Sequence, residues 1–213
     1  KDVALRKGVL YELDEQMRHP DIRIRTRNSL AARYQIDTEF AERVAETSQW
    51  LHAQLKNYWL GMDNQAVELL REAAHLHEIG LQISASGLQK HSSYILSNSD
   101  LPGYNQNQQQ ILGFLVYQHR KRLKPREVPT VRSINHENCL RLVRILRLAI
   151  ILNITRKPFE FDKGILDVSV SGSAVCLNFE GEFLAQNLLM EADLIREQGY
   201  WHDVGLELII RTQ

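Results

Sequence analysis

Cysteine is almost absent from this 213-residue sequence, with Cys139 and Cys176 the only two. Two thiols cannot build a disulfide framework, and a four-cysteine zinc site is excluded. An excess of either charge is also lacking, because 26 Lys and Arg stand against 26 Asp and Glu. A balance of +0 argues against a general nucleic-acid binder at the whole-chain level, so affinity for anions must come from a local patch, and no specific nucleic-acid partner is expected. No apolar run reaches the ~18 residues of a membrane span, and no basic-then-apolar signal segment opens the sequence. A reducing, cytoplasmic setting with no membrane partner is the expectation. The 11 glycines are scattered and never form the cluster of backbone N–H groups that cradles a phosphate. The first residue is Lys1 rather than methionine, as expected for a piece of a longer protein.

Hydrophobic residues at 44% and charged residues at 24% are enough to bury a real core. The length allows one large domain, or one medium and one small. Apolar residues recur with a helical period over most of the chain. Residues 1–17 read as a helix on Val9, Leu10, Leu13 and Met17, stopped by His19-Pro20. Asp21 is placed to cap a helix through Tyr34. Asp37 caps another, with Phe40, Val44, Thr47, Leu51, Leu55 and Tyr58 on one arc. Over residues 65–79 the inward face is Leu69, Leu70, Ala73, Leu76 and His77, leaving Glu68, Arg71, Glu72 and His75 for the wet side. A short helix over 90–96 precedes the turn Asp100-Leu-Pro-Gly103. Asn105 caps a long helix carrying Ile111, Leu112, Leu115 and Val116, which a basic loop ends at His119. Residues 137–155 are apolar almost all round and belong at the centre of a bundle.

After Lys157-Pro158 the period changes to two. Residues 165–170 and 174–179 alternate and are joined by Ser171-Gly-Ser173, a hairpin signal. Residues 182–196 read as helical and 206–211 as a third strand. The expected fold is mainly α: a helical domain over 1–157, then a small α+β domain of β-β-α-β order over 158–213.

His77, His91 and His119 fall on inward faces of three helices, with Glu78 adding a carboxylate; such a set can converge on a ligand, or remain separate core residues. Arg43-Val-Ala45, Ala74-His-Leu-His-Glu-Ile-Gly80, His91 with Tyr94-Ile-Leu96, His119, and Ile145-Leu-Arg-Leu-Ala149 follow the order of, and resemble, an HD-type metal phosphohydrolase. The resemblance implies a histidine where Phe40 stands, His-Asp where His77-Glu78 stands, and an aspartate where Ile150 stands. Glutamate can still bind a metal, but Phe40 and Ile150 cannot. His77, Glu78, His91 and His119 then read as an HD-like remnant, with no catalytic residue and no metal in this chain. The rival reading is an altered HD-type metal-dependent phosphohydrolase built on those same four side chains.

A second resemblance covers essentially the whole chain. Leu5-Arg-Lys-Gly-Val-Leu-Tyr11, Asp21-Ile-Arg-Ile-Arg-Thr26, Leu76-His-Glu-Ile-Gly-Leu81, His91-Ser-Ser-Tyr-Ile-Leu96, Asn98-Ser-Asp-Leu-Pro-Gly103 and Leu146-Arg-Leu-Ala149 resemble the carboxy-terminal half of the exopolyphosphatase / guanosine-pentaphosphate phosphatase family. That resemblance implies an HD-like helical domain plus a small terminal domain. The catalytic ATPase-fold domains, with magnesium, would lie amino-terminal to them, and no cofactor would belong to this portion. Its expected contributions are binding of polyphosphate or another phosphate polyanion, and a homodimer. A purely architectural module is the third reading.

His119-Arg-Lys-Arg-Leu-Lys-Pro-Arg126 holds five Lys and Arg in eight residues, so Arg120, Lys121, Arg122, Lys124 and Arg126 are the expected polyanion contacts. Arg141, Arg144 and Arg147 interrupt an apolar helix and must face carboxylates, water or an anion there, with salt bridges inside the bundle the expected arrangement. Arg23, Arg25 and Arg27 read as a surface ion-pair face. Trp50, Tyr58, Trp59 and Trp201 read as core or interface filler, and both cysteines as buried thiols.

Overall fold

The computed structural model describes residues 20–59, 64–131, 133–157 and 164–212. The expected helix over 1–17 and the proline at the expected domain boundary lie outside them. Helix α1 (Pro20–Arg33) begins on its proline, where the missing N–H costs nothing. Helix α2 (Thr38–Leu55) starts where the Asp37 carboxylate accepts from the Phe40 N–H at 3.0 Å. Its stripe of Phe40, Val44, Thr47, Leu51 and Leu55 is buried. Tyr58 lies beyond the helix end and is 52% exposed, off the buried arc on which it was expected.

Helix α3 (Asn64–Leu76) ends three residues before its expected end, and a 3-10 turn (Ile79–Gln82) follows. Ser92 sets that ending. Its hydroxyl donates to the His77 carbonyl at 2.8 Å and accepts from the Gly80 N–H at 2.9 Å. A Cβ at Gly80 would lie 2.5 Å from the Ser92 backbone nitrogen, so only glycine permits the approach. Ser92 belongs to helix α4 (Leu88–Asn98), which packs on helix α5 (Gln106–Gln118). A capping box of Asn105 and Gln108 opens α5. Helix α6 (His136–Leu152) is buried along most of its length and packs on α2, α3 and α5.

Strands β1 (Leu166–Ser171) and β2 (Ala174–Phe179) form the expected hairpin, closed by the Ser171–Ala174 pair with Gly172 at φ 63. Strand β3 (Leu208–Thr212) runs parallel to β2, giving the order β1-β2-β3. A parallel neighbour demands a crossover. Helices α7 (Phe183–Gln186) and α8 (Leu188–His202) supply it. The single helix expected over 182–196 is thus two, broken at Asn187, whose amide donates to the Phe183 carbonyl at 2.8 Å. Trp201, Phe179 and Leu194 join the same apolar cluster as Leu148, Leu51 and Leu115, so the core runs from the bundle into the sheet.

Two polar readings are corrected by tertiary packing. Glu72 and His75 are buried rather than wet, because α1 covers that side of α3. Arg27 pairs with Glu72 at 2.9 Å, and the Tyr104 hydroxyl donates to the same carboxylate at 2.8 Å. Arg23 donates to the Gly103 carbonyl at 2.8 Å and to Glu68 and Gln108 at 3.1 Å. Arg23 and Arg27, one turn apart, therefore clamp α1 onto the bundle instead of forming a surface face; Arg25 alone of the three is exposed.

Candidate functional site

Where α2, the α3–α4 turn, the end of α5, the end of α6 and α8 meet, a cleft of about 380 Å³ opens. Phe40, His77, Glu78 and Ile150 all line it. The positions at which the HD-type resemblance implies metal ligands do converge, yet they meet as an aromatic ring, an imidazole, a carboxylate and an aliphatic chain.

His77 is 2% exposed, and its Nδ1–H donates to the Ala74 carbonyl at 2.7 Å. His119 repeats the arrangement at the end of α5, donating from Nδ1 to the Val116 carbonyl at 2.5 Å. The two rings meet edge-to-face with centroids 5.5 Å apart, and Phe40 lies 5.7 Å from His77. Burial, the largest cause, pushes both imidazoles below their ordinary pKa. Glu78 opposes the shift at His77, whereas His77 itself adds to it at His119. Both are therefore neutral at pH 7.

Glu78 is not free to serve a metal. Arg156 donates to it at 2.7 Å and to Asp37 at 2.9 Å, with its guanidinium carbon 4.0 Å from the centre of the Phe40 ring. Arg156 holds this place from a left-handed backbone, φ 55. His91 does not join the cleft. It stands half-buried at the start of α4, donating from Nε2 to the Ser86 carbonyl at 3.1 Å. The inward helix face expected for it is taken by Ser92 and Ile95. Among the described residues no group of three or more His, Cys, Asp or Glu can hold a metal ion. The donor set does not fit a hydrolytic metal centre.

The basic loop divides into three parts. Arg120 and Lys121 are exposed at the rim of the cleft, Lys121 at φ 67. Arg122 and Arg126 are exposed away from it. Lys124 is tied down, donating to the Tyr117 hydroxyl at 2.8 Å and to Glu127 at 3.1 Å. Arg147 holds the loop backbone in shape. It donates to the carbonyls of Gln118 at 2.6 Å and Lys121 at 2.8 Å while forking Glu197 at 2.5 and 2.6 Å. That Arg147 must have a polar or charged partner was readable in α6; that Glu197 of α8 is that partner was not. Arg156, Arg196 and Tyr200 also line the cleft without any local sequence signal. Its charged lining is Arg120, Lys121, Arg147, Arg156 and Arg196 against Glu78, Asp193 and Glu197, an excess of two positive charges.

Fold and cleft together define a helical domain of HD type whose ligand positions no longer suit a metal, carrying a small α+β unit. The chain belongs to the Ppx/GppA phosphatase family: the model of domain III of that family matches residues 22–198. It is similar to a guanosine-5'-triphosphate,3'-diphosphate pyrophosphatase of Vibrio cholerae serotype O1, at 36% identity over 208 residues. The match covers 97% of this chain and 41% of that protein. Proteins of the same name from Vibrio atlanticus and Vibrio vulnificus are 37% and 32% identical over 210 residues, covering 97% and 99% of this chain and 41% of each relative. The chain thus spans about two-fifths of the length of the curated relatives it matches, and corresponds to their carboxy-terminal part. No helix among the described residues is long and apolar enough to cross a membrane.

Proposed function

We propose that this chain is the carboxy-terminal region of a cytoplasmic phosphoanhydride hydrolase. The complete protein would cleave terminal phosphates of polyphosphate or of guanosine pentaphosphate, using magnesium held by domains other than these. This portion contributes polyanion binding and a homodimer interface, with no catalysis of its own. One observation carries the reading. Arg120 and Lys121 stand exposed, with no side-chain partner among the described residues, beside a cleft where Phe40 and Ile150 replace donor atoms. Exposed cations held on an ordered backbone favour a polyanion through counterion release. The excess of positive charge in the cleft lining attracts the same ligand.

The test is a titration of the chain with polyphosphate at several salt concentrations. Binding at low salt is expected, falling steeply with salt and lost when Arg120, Lys121 and Arg122 are replaced together by alanine. Absence of binding at low salt, or binding unchanged in the triple variant, overturns the polyanion-binding role. Metal analysis of the purified chain addresses its catalytic status separately. Stoichiometric transition metal with chelator-sensitive phosphatase activity would replace this reading with an active HD-type enzyme.

A further inference from the structure

We propose that the small α+β unit controls the basic loop, with Glu197 of α8 acting through Arg147 as a positioning residue for Arg120 and Lys121. The inference takes its ligand from the polyanion reading and rests on it. What it adds is the part of the fold that governs how the loop presents its cations.

The loop is pinned at three points. The Leu123 side chain is 8% exposed and joins the core. The Lys124 N–H donates to the Gln118 side-chain oxygen at 2.9 Å. At the third point Arg147 donates to the main-chain carbonyls of Gln118 and Lys121. The Gln118 carbonyl closes α5, where a last-turn carbonyl has no N–H of its own helix to accept from. Lys121 stands at φ 67, a left-handed backbone that a lysine keeps only where its surroundings impose it. Strain of this kind gathers at functional sites, and here it falls on a cation of the cleft rim. The Arg147 bond is made on the strained residue itself, so it fixes where Arg120 and Lys121 point.

Arg147 cannot hold that place alone. Its side chain is 2% exposed, and a guanidinium so buried needs a counter-charge. Glu197 supplies it from α8, accepting from Nε at 2.5 Å and from Nη2 at 2.6 Å. Nη2 also donates to the Lys121 carbonyl, and Nη1 to that of Gln118. One rigid planar group therefore joins the carboxylate of the small unit to the backbone of the loop. Tyr200, one turn along α8, sets its ring centre 5.5 Å from the same guanidinium carbon. Helix α8 thus orients the plane of Arg147, and that plane directs the N–H groups that shape the loop. A movement of α8 carries the loop with it.

Two roles for Glu197 predict opposite signs. As a negative charge in the cleft lining it repels a polyanion, so neutralising it should tighten binding. As a positioning residue it should weaken binding when lost.

The test is calorimetric titration of the 213-residue chain with polyphosphate at several salt concentrations. Glu197→Gln keeps the shape and an oxygen for the Trp201 indole N–H, but sets an amide N–H against the guanidinium. It should bind about tenfold more weakly at low salt, although the net charge rises by one, with a salt slope shallower by roughly one to two. Arg147→Met combined with Glu197→Gln orphans no buried charge and leaves the net charge unchanged; it should bind as weakly. In a chain already carrying Arg120→Ala and Lys121→Ala, Glu197→Gln should make no further difference. Nitrogen relaxation of the backbone amides, recorded without ligand, should show residues 120–122 rigid in the unaltered chain and mobile in Glu197→Gln. Equal or tighter binding by Glu197→Gln, an undiminished loss in the Arg120→Ala, Lys121→Ala chain, or loop amides as rigid as before overturns the proposal. Failure of the polyanion reading looks different: the unaltered chain then binds no polyphosphate at low salt, whereas failure of this inference leaves that binding intact.

Discussion

The arginines of α6 and the cations of the 119–126 loop are neighbours in space, joined where Arg147 donates to the carbonyls of Gln118 and Lys121. Their environments are opposite. The side chains of Arg144 and Arg147 are 4% and 2% exposed, and each is answered by a carboxylate, Glu137 at 2.7 Å and Glu197 at 2.5 Å. Arg144 further lies over the rings of Trp59 and Trp201. Arg120, Lys121 and Arg122 are exposed and make no such pair among the described residues. The chemistry of the side chains is alike, so burial decides the difference. A buried guanidinium without a partner would unfold the site, whereas an exposed one adds almost nothing to stability and is left free for a ligand.

The sharpest way to break this comparison is Glu197→Ala. It strips the forked partner from Arg147 and the acceptor from the Trp201 indole N–H, which donates to Glu197 at 2.7 Å. Urea denaturation should show a loss of about 3–5 kcal/mol, the cost of orphaning a buried charge. Arg120→Ala, measured alongside, should leave the midpoint where it was. Similar losses in the two variants would mean that burial does not separate the two groups of cations.

A second test concerns the imidazoles that share this interior. His75 is buried, and burial is the first cause lowering its pKa from 6.5 to about 3, with Arg27, Arg71 and His77 adding to it. The folded state therefore binds fewer protons than the unfolded chain between these values. The stability that His75 contributes is complete above pH 6.5 and is lost as pH falls toward 3. From pH 7 to pH 5 that amounts to about 2 kcal/mol, and His77 and His119 act in the same direction. Glu72 acts against them near the lower end, since burial raises its pKa above 4.5. Denaturant midpoints across this range should fall with pH, and His75→Gln should flatten the slope. A slope untouched by that change would show that His75 is not held neutral.

The same contrast explains what could be read in advance. Local chemistry was legible. Asp37 and Asn105 announce helix starts because a cap acts over three residues, and the hairpin follows from Ser171-Gly172-Ser173. The convergence of Phe40, His77, Glu78 and Ile150 was legible only through family resemblance, since three separate segments supply them. What stayed hidden is what tertiary packing alone decides. Glu72 and His75 look solvent-facing on the period of α3 until α1 covers them with Arg27. Arg156 reaches Glu78 across 78 residues, and Arg147 reaches Glu197 across 50. No window along the chain contains both members of such a pair.

The smallest effect lies within the loop itself, between Arg120 and Lys124. Both are exposed, and by composition they are equivalent. Lys124, however, already faces the Glu127 carboxylate at 3.1 Å and the Tyr117 hydroxyl, contacts that raise its pKa, the Tyr117 bond first. A cation that has a carboxylate beside it holds less of the counterion charge that a polyanion displaces. Arg120 has no such neighbour among the described residues and stands at the cleft rim. Arg120→Ala should therefore lower the slope of log affinity against log salt by roughly one for polyphosphate, on the scale of one phosphate contact. Lys124→Ala should move it by clearly less and leave the urea midpoint unchanged. Equal slopes for the two variants would mean that net charge, not the pairing of each side chain, governs what the loop holds.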